Sequence, residues 1–205
     1  MTTDLLERAH AAAYRFPAGF AGFHATVHTS AGDTGTVVVR GRRDHEFVFT
    51  HEAGDADWAR EQVASILGHR WPAPYAEGDG RYSSRTETDG DPGGTLVRLT
   101  GDPMNSAYRV RDDEISEVHR TTGQVRFTIV ISGSTHTAEG RLPNHFSVYY
   151  WRPGDGRLIK ADQYRDTYTE VAGVWLPTRR VITTADDDGL TTRVLDLRDH
   201  RLVYP

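Results

Sequence analysis

Residues 106–132, SAYRVRDDEISEVHRTTGQVRFTIVIS, decide the fold. Three β-rich runs, Ser106 to Arg111, Glu114 to His119 and Val125 to Ser132, are separated by Asp112-Asp113 and Thr122-Gly123. Such short polar reversals close hairpins, whereas parallel strands need a crossover of a dozen residues or more. The runs therefore pair antiparallel. Alternation puts Tyr108 and Val110 on one face of the first strand and Arg109 and Arg111 on the other.

The same pattern extends in both directions. Thr95 to Thr100, His145 to Trp151, Leu158 to Thr169, Thr178 to Thr184 and Thr191 to Leu197 are further strands, divided by Gly140, Gly154-Asp155-Gly156, Gly173 and Asp187-Asp188-Gly189. Nearer the N-terminus, Phe23, Ala25 and Val27 alternate with His24, Thr26 and His28, the signature of a half-buried strand. Thr36 to Arg40 and Glu46 to Thr50 follow. Residues 73–93 read as a long loop or an irregular edge strand around Tyr82.

Two helices lie early in the chain, one before Phe23 and one after Thr50. Leu5, Leu6, Ala9, Ala12, Ala13 and Phe16 recur at helical spacing behind Asp4, with Pro17 as the stop. In the second, Asp55 is the cap, Trp58, Val63, Ile66 and Leu67 share a side, and Gly68 sits where a C-terminal glycine belongs. An antiparallel sheet of roughly ten strands tends to curl and needs a cover. The expected architecture is α+β and mainly β: one domain over residues 1–205, a half-barrel covered by the two N-terminal helices, with a cavity between sheet and lid.

Composition narrows the functions. Twenty-four basic against twenty-nine acidic residues give a net charge of −5, with no global footprint for nucleic acid or an anionic membrane. The absence of cysteine excludes disulfides, thiolate ligands and thiol nucleophiles. No stretch reaches the roughly 20 apolar residues of a membrane span, and Asp4, Glu7 and Arg8 interrupt any secretory core, so the expected location is cytoplasmic. A P-loop, a dinucleotide fingerprint after a strand, H-E-x-x-H and G-x-S-x-G are all missing.

Five stretches occur in a fixed order: His69-Arg70, S-x-Y-R-V as Ser106 to Val110, E-I-x-x-V-x-R as Glu114 to Arg120, G-R-L-P as Gly140 to Pro143, and G-V-W-L-P-x-R-R as Gly173 to Arg180. Together they resemble the bacterial family of domain of unknown function 3386, from about Leu6 to Val203. Phe20 to Val27 and Gly35 to Val39, behind a helix, are more distantly similar to the LolA-type lipoprotein carriers. That resemblance implies an incomplete barrel covered by helices around an apolar cavity. No catalytic residue is carried over from either family.

Ten histidines raise the question of a metal. His24 and His28 share a strand face but stand roughly 13 Å apart, too far for one ion. A tight turn at Gly140-Arg141 would set His136 opposite His145, within reach of a common copper, zinc or iron. The other candidates line the expected cavity. His69, Tyr108, Arg109 and Asp166 are the expected catalytic groups, acting by proton transfer and orientation. Arg70, Arg111, Arg120, Tyr149, Trp151, Tyr164 and Tyr168 are the expected ligand contacts. Asp162, Tyr164, Asp166 and Tyr168 give one strand a polar face, expected either at a sheet edge or along the cavity. The reading is a small-molecule-binding protein acting as a cofactor-free cyclase or isomerase of a specialised biosynthetic pathway. A histidine-coordinated metal enzyme and a non-catalytic carrier are the alternatives.

Overall fold

The computed structural model describes residues 4–204. Among them are two α-helices, α1 (Leu5–Ala12) and α2 (Ala56–Arg70), and twelve strands. The strands are β1 (Phe23–Thr29), β2 (Thr34–Val39), β3 (His45–His51), β4 (Ser83–Glu87), β5 (Thr95–Thr100), β6 (Ala107–Arg111), β7 (Glu114–Thr121), β8 (Arg126–Thr137), β9 (Gly140–Trp151), β10 (Leu158–Val171), β11 (Val174–Asp186) and β12 (Gly189–Leu202). They form one antiparallel sheet in the order β3-β2-β1-β12-β11-β10-β9-β8-β7-β6-β5-β4, with β3 and β4 as its open ends. Every neighbour is consecutive in sequence except β1 and β12, which pair from Phe23↔Leu202 to Thr29↔Leu195. The predicted meander and α+β class are present. The polar-faced strand, β10, lies between β9 and β11, so the edge placement is corrected. No described helix is long and apolar enough to cross a membrane.

Contacts group the chain into two compact units. The first takes the chain up to Tyr14 with Ala73–Tyr164 and Thr184–Thr191. Its core sets Leu6 and Ala9 of α1 against Val97 and Leu99 of β5 and Tyr108 and Val110 of β6. Asp4 caps α1 by accepting from the Leu6 amide at 3.1 Å, and its other oxygen accepts from the hydroxyls of Ser84 (2.9 Å) and Tyr75 (3.3 Å). The helix stops four residues before its expected end at Phe16. Ala13 turns extended and bridges Arg141, and the Tyr14 amide donates to the Arg141 carbonyl at 2.9 Å. A Cβ on Gly140 would stand 2.8 Å from the Tyr14 nitrogen, so the close approach requires glycine there.

The second unit comprises Arg15–Pro72, Arg165–Thr183 and the chain from Thr192 on. β1 buries Phe23, Ala25 and Val27, β2 buries Val37 and Val39, and β12 buries Leu195 and Leu197. From α2, Ala56, Ala59, Val63, Ile66, Leu67 and Arg70 are buried, whereas Trp58 is only half-buried under the Arg193 guanidinium. Gly68 does not end α2, which runs on to Arg70.

Nor does the Asp55 side chain cap this helix. Asp33, fully buried in the β1–β2 turn, organises the approach instead. Its carboxylate accepts from the amides of Ala53 (2.7 Å), Gly54 (3.2 Å) and Asp55 (3.1 Å) and from the Thr29 hydroxyl (2.5 Å). Burial pushes this carboxyl up, but the hydroxyl and the amides outweigh it and hold it at about 2, below the ordinary 3.8. A depressed carboxyl stabilises the fold above its unfolded pKa. Acid titration of the wild type is therefore expected to lose this contribution as pH falls from about 4 through about 2. Asp33→Ala is expected to cost about 2–4 kcal/mol in urea unfolding at pH 7, by leaving several amides unpaired. Wild-type stability in that variant would refute the role given to Asp33.

Candidate functional site

β5 to β9 present a second face, opposite α1. Strand pairing aligns Arg98↔Ala107, Ala107↔His119, His119↔Thr128 and Thr128↔Tyr149 into one cross-strand row. The next row runs Leu96↔Arg109, Arg109↔Glu117 and Glu117↔Val130. Directly paired residues share a face, so all of these point away from Val97, Tyr108 and Val118. A groove of about 370 Å³ opens on this face, and its lining includes Leu96, Arg98, Ala107, His119, Thr128 and Trp151. It is set apart from the packing surface of α1, unlike the cavity expected between helix and sheet.

A β-bulge fixes which residues of β7 reach the groove. Val110 pairs with Ile115 but Arg109 pairs with Glu117, leaving Ser116 as the extra residue. Its hydroxyl donates to the carbonyls of Gly93 (2.5 Å) and Arg109 (3.2 Å). Were the pairing regular, with Ser116 opposite Arg109, Glu117 and His119 would face the core and Val118 would face the groove.

The groove's cations differ in their company. Arg109 donates to both oxygens of Asp89 (3.1 and 2.9 Å), lies 3.4 Å from Asp91 and 3.8 Å from Glu117, and also donates to the Gly94 carbonyl. The Arg109 hydrogen bond holds the Asp89 carboxyl at about 2, and Asp89 in turn raises Arg109. Arg98 meets Glu87 at 3.4 Å. Arg126, also in the lining, lies 5.4 Å above the Trp151 ring and has no carboxylate partner among the described residues. His119 is held at both nitrogens: Nε2 is 3.0 Å from Glu117 and Nδ1 is 3.2 Å from the Thr128 hydroxyl. Burial lowers the His119 pKa against the opposing pull of Glu117, which favours neutral imidazole.

Of the groups nominated from sequence, Arg109 and Trp151 line this groove, Tyr149 shares its face, and Arg120 borders it but turns its guanidinium to Tyr108 on the other face. Tyr108 does not. It is 3% exposed on the α1 side, donates to Asp79 at 2.8 Å and accepts from Arg120 at 2.9 Å. Burial pushes its hydroxyl up to about 12 despite the cation of Arg120. Arg111 is exposed and donates to the Pro92 carbonyl at 3.1 Å. Tyr164 stacks on Phe146, ring centres 4.4 Å apart.

Asp166, Tyr168, Arg70 and His69 belong to the second unit. Asp166 and Arg180, 4% and 5% exposed, form a two-pronged ion pair at 2.8 and 2.6 Å. Tyr168 donates to Asp166 at 3.3 Å and accepts from Arg70 at 3.0 Å, while Arg180 also reaches Gln62 at 3.4 Å. His69 is exposed on the last turn of α2. The polar face of β10 is thus a buried hydrogen-bonded network here, and Asp166 is committed to Arg180.

The expected metal pair is corrected by register. The reversal falls at Ala138-Glu139, since Thr137 pairs with Gly140, so His136 faces Arg141. One further shift, between Ser134 and Gly133, sets His145 opposite Gly133, so the histidines are separated by three residues along the ladder, about 10 Å. His136 lies 3.7 Å from Glu114, which also pairs with Arg141. Among the described residues no group of three or more His, Asp or Glu side chains is placed to hold a metal ion.

Sequence reasoning missed Arg98, Glu117, His119, Arg126, Thr128 and Arg180. Counting outward from Gly123-Gln124 would have set His119 against Thr128; the Ser116 bulge leaves no comparable mark.

Residues 1–203 match the family described as Protein of unknown function (DUF3386). No curated protein matches the chain. Among solved structures, a LolA superfamily protein from Nitrosomonas europaea is similar at 19% identity, over 98% of this chain and 93% of that one, with a TM-score of 0.41.

Arg180→Ala leaves the buried Asp166 charge unpaired and is expected to destabilise the protein by about 3–5 kcal/mol in urea unfolding. Asp166→Leu combined with Arg180→Met should recover most of that loss. A mild single-variant effect, below about 1 kcal/mol, would show that the pair is not buried as described.

Proposed function

The chain belongs to the DUF3386 family of proteins of unknown function, and from that premise we propose that it binds a small, anionic, partly aromatic molecule in the β5–β9 groove. One observation carries this reading. Arg126 lies over Trp151 in a concave lining without a carboxylate partner among the described residues, while Arg109 and Arg98 are paired with acids. A guanidinium on an aromatic ring favours a ligand that supplies both a planar surface and an anionic group. Leu96 and Ala107 add an apolar floor, and Tyr149 extends the contact surface.

The sequence-based catalytic set of His69, Tyr108, Arg109 and Asp166 is not carried forward. Tyr108 and Arg109 occupy opposite faces of β6, and the acid of Asp166 is taken up by Arg180. Binding is the function that the groove supports, for a carrier and an enzyme alike.

The fluorescent sulfonate 8-anilino-1-naphthalenesulfonate combines fused rings with one anion and serves as the probe. Arg126→Ala and Trp151→Ala are each expected to weaken its binding about tenfold or more, the equivalent of at least about 1.4 kcal/mol. Arg157→Ala, at an exposed ion pair with Asp187, should bind as wild type. Equal affinity in all four proteins would overturn the proposal.

A further inference from the structure

The groove contains a carboxylate, an imidazole and a hydroxyl in series. Glu117 lies 3.0 Å from Nε2 of His119, and Nδ1 of the same ring lies 3.2 Å from Oγ1 of Thr128. A carboxylate only accepts, so in the neutral ring the proton sits on Nε2 and is donated to Glu117. Nδ1 is then an acceptor, and the Thr128 hydroxyl must donate to it. His119 and Thr128 both line the groove, and the Ser116 bulge turns His119 and its carboxylate toward it. This is the relation between orienting acid, base and nucleophile that activates a hydroxyl for attack.

We propose that Thr128 is an acyl-transfer nucleophile, with His119 as its base and Glu117 as a positioning residue, acting on esters that carry an anionic group. The inference rests on the binding reading above, which supplies the anionic class through Arg126, two residues before Thr128 on the same face of β8. Thr128 Oγ1 attacks the ester carbonyl carbon while its proton passes to Nδ1 of His119. The bond to the leaving oxygen breaks, and that oxygen takes the proton from Nδ1. Water then attacks the acyl group and gives a proton to Nδ1. Thr128 Oγ1 departs and recovers this proton, so ester and water yield acid and alcohol. The burial that keeps His119 neutral supports its service as a base.

The chain contains a single lysine, Lys160, so acylation by reactive esters has few competing sites. The full chain is incubated with 4-acetoxybenzenesulfonate, and phenol release, intact mass and peptide mapping are followed. One acetyl group on Thr128, or steady phenol release that depends on Thr128, is expected. Thr128→Val, which keeps the side-chain shape, and His119→Gln should each slow the reaction about 100-fold or more, whereas Thr128→Ser should stay within about tenfold. The wild-type rate should rise with pH through a midpoint below 6.5 as His119 loses its proton. Arg126→Ala should remove any preference over uncharged 4-nitrophenyl acetate.

No reaction above buffer, an acetyl group only on Lys160 or the N-terminal amine, or a wild-type rate in Thr128→Val would overturn the proposal. If naphthalenesulfonate binding still depends on Arg126 in that case, the nucleophile falls and the binding groove stands. If that dependence is absent too, the binding reading falls with it.

Discussion

Successive side chains of a β-strand point to opposite faces, and in β6 a step of one residue separates the core from the groove. Tyr108 and Val110 pack with Leu6 and Ala9 of α1, whereas Ala107 and Arg109 remain for the other side. The packing of α1 therefore fixes the register of the groove: a one-residue slip would bury guanidinium groups and expose the apolar cluster. The bulge at Ser116 is the exception that makes the site. It shifts Glu117 and His119 onto the groove face while Ile115 remains opposite Val110.

Charge placement then separates the acid-paired arginines of the groove, Arg98 and Arg109, from Arg126. The segment before β5 delivers Asp89 and Asp91 to Arg109, and Gly93 to Ser116, tying itself to the sheet. Arg180 is consumed by Asp166. Arg126, on an aromatic ring rather than a carboxylate, keeps its hydrogen-bonding capacity. A two-pronged ion pair satisfies both partners, so the less well-paired cation is the better ligand contact.

Much of the fold is legible in the residues. The two-residue alternation of β1, β6 and β7 and the polar reversals between strands identify an antiparallel meander, and Asp4 marks the start of α1. Less legible are effects of distant parts of the chain. The stripe from Leu5 to Phe16 suggests a longer helix, but pairing of Ala13 and Tyr14 with Arg141 ends it early. Asp55 looks like the α2 cap, but Asp33, more than twenty residues earlier, holds the amides leading into it. For the site, alternation correctly separates Tyr108 from Arg109. It does not reveal that the polar face of β10 is satisfied internally, because Arg180 lies on the next strand. His136 and His145 fail as a pair because the hairpin turns two residues earlier than Gly140-Arg141, which sets Arg141 opposite His136.

Side-chain methyl NMR discriminates between the two faces most directly. During titration with 8-anilino-1-naphthalenesulfonate, the methyl signals of Leu96, Ala107 and Thr128 should move together and saturate with one affinity. Those of Val97, Leu99 and Val110, on the α1 side, should remain in place. Movement confined to the second set, or to neither, would contradict a ligand site in the β5–β9 groove.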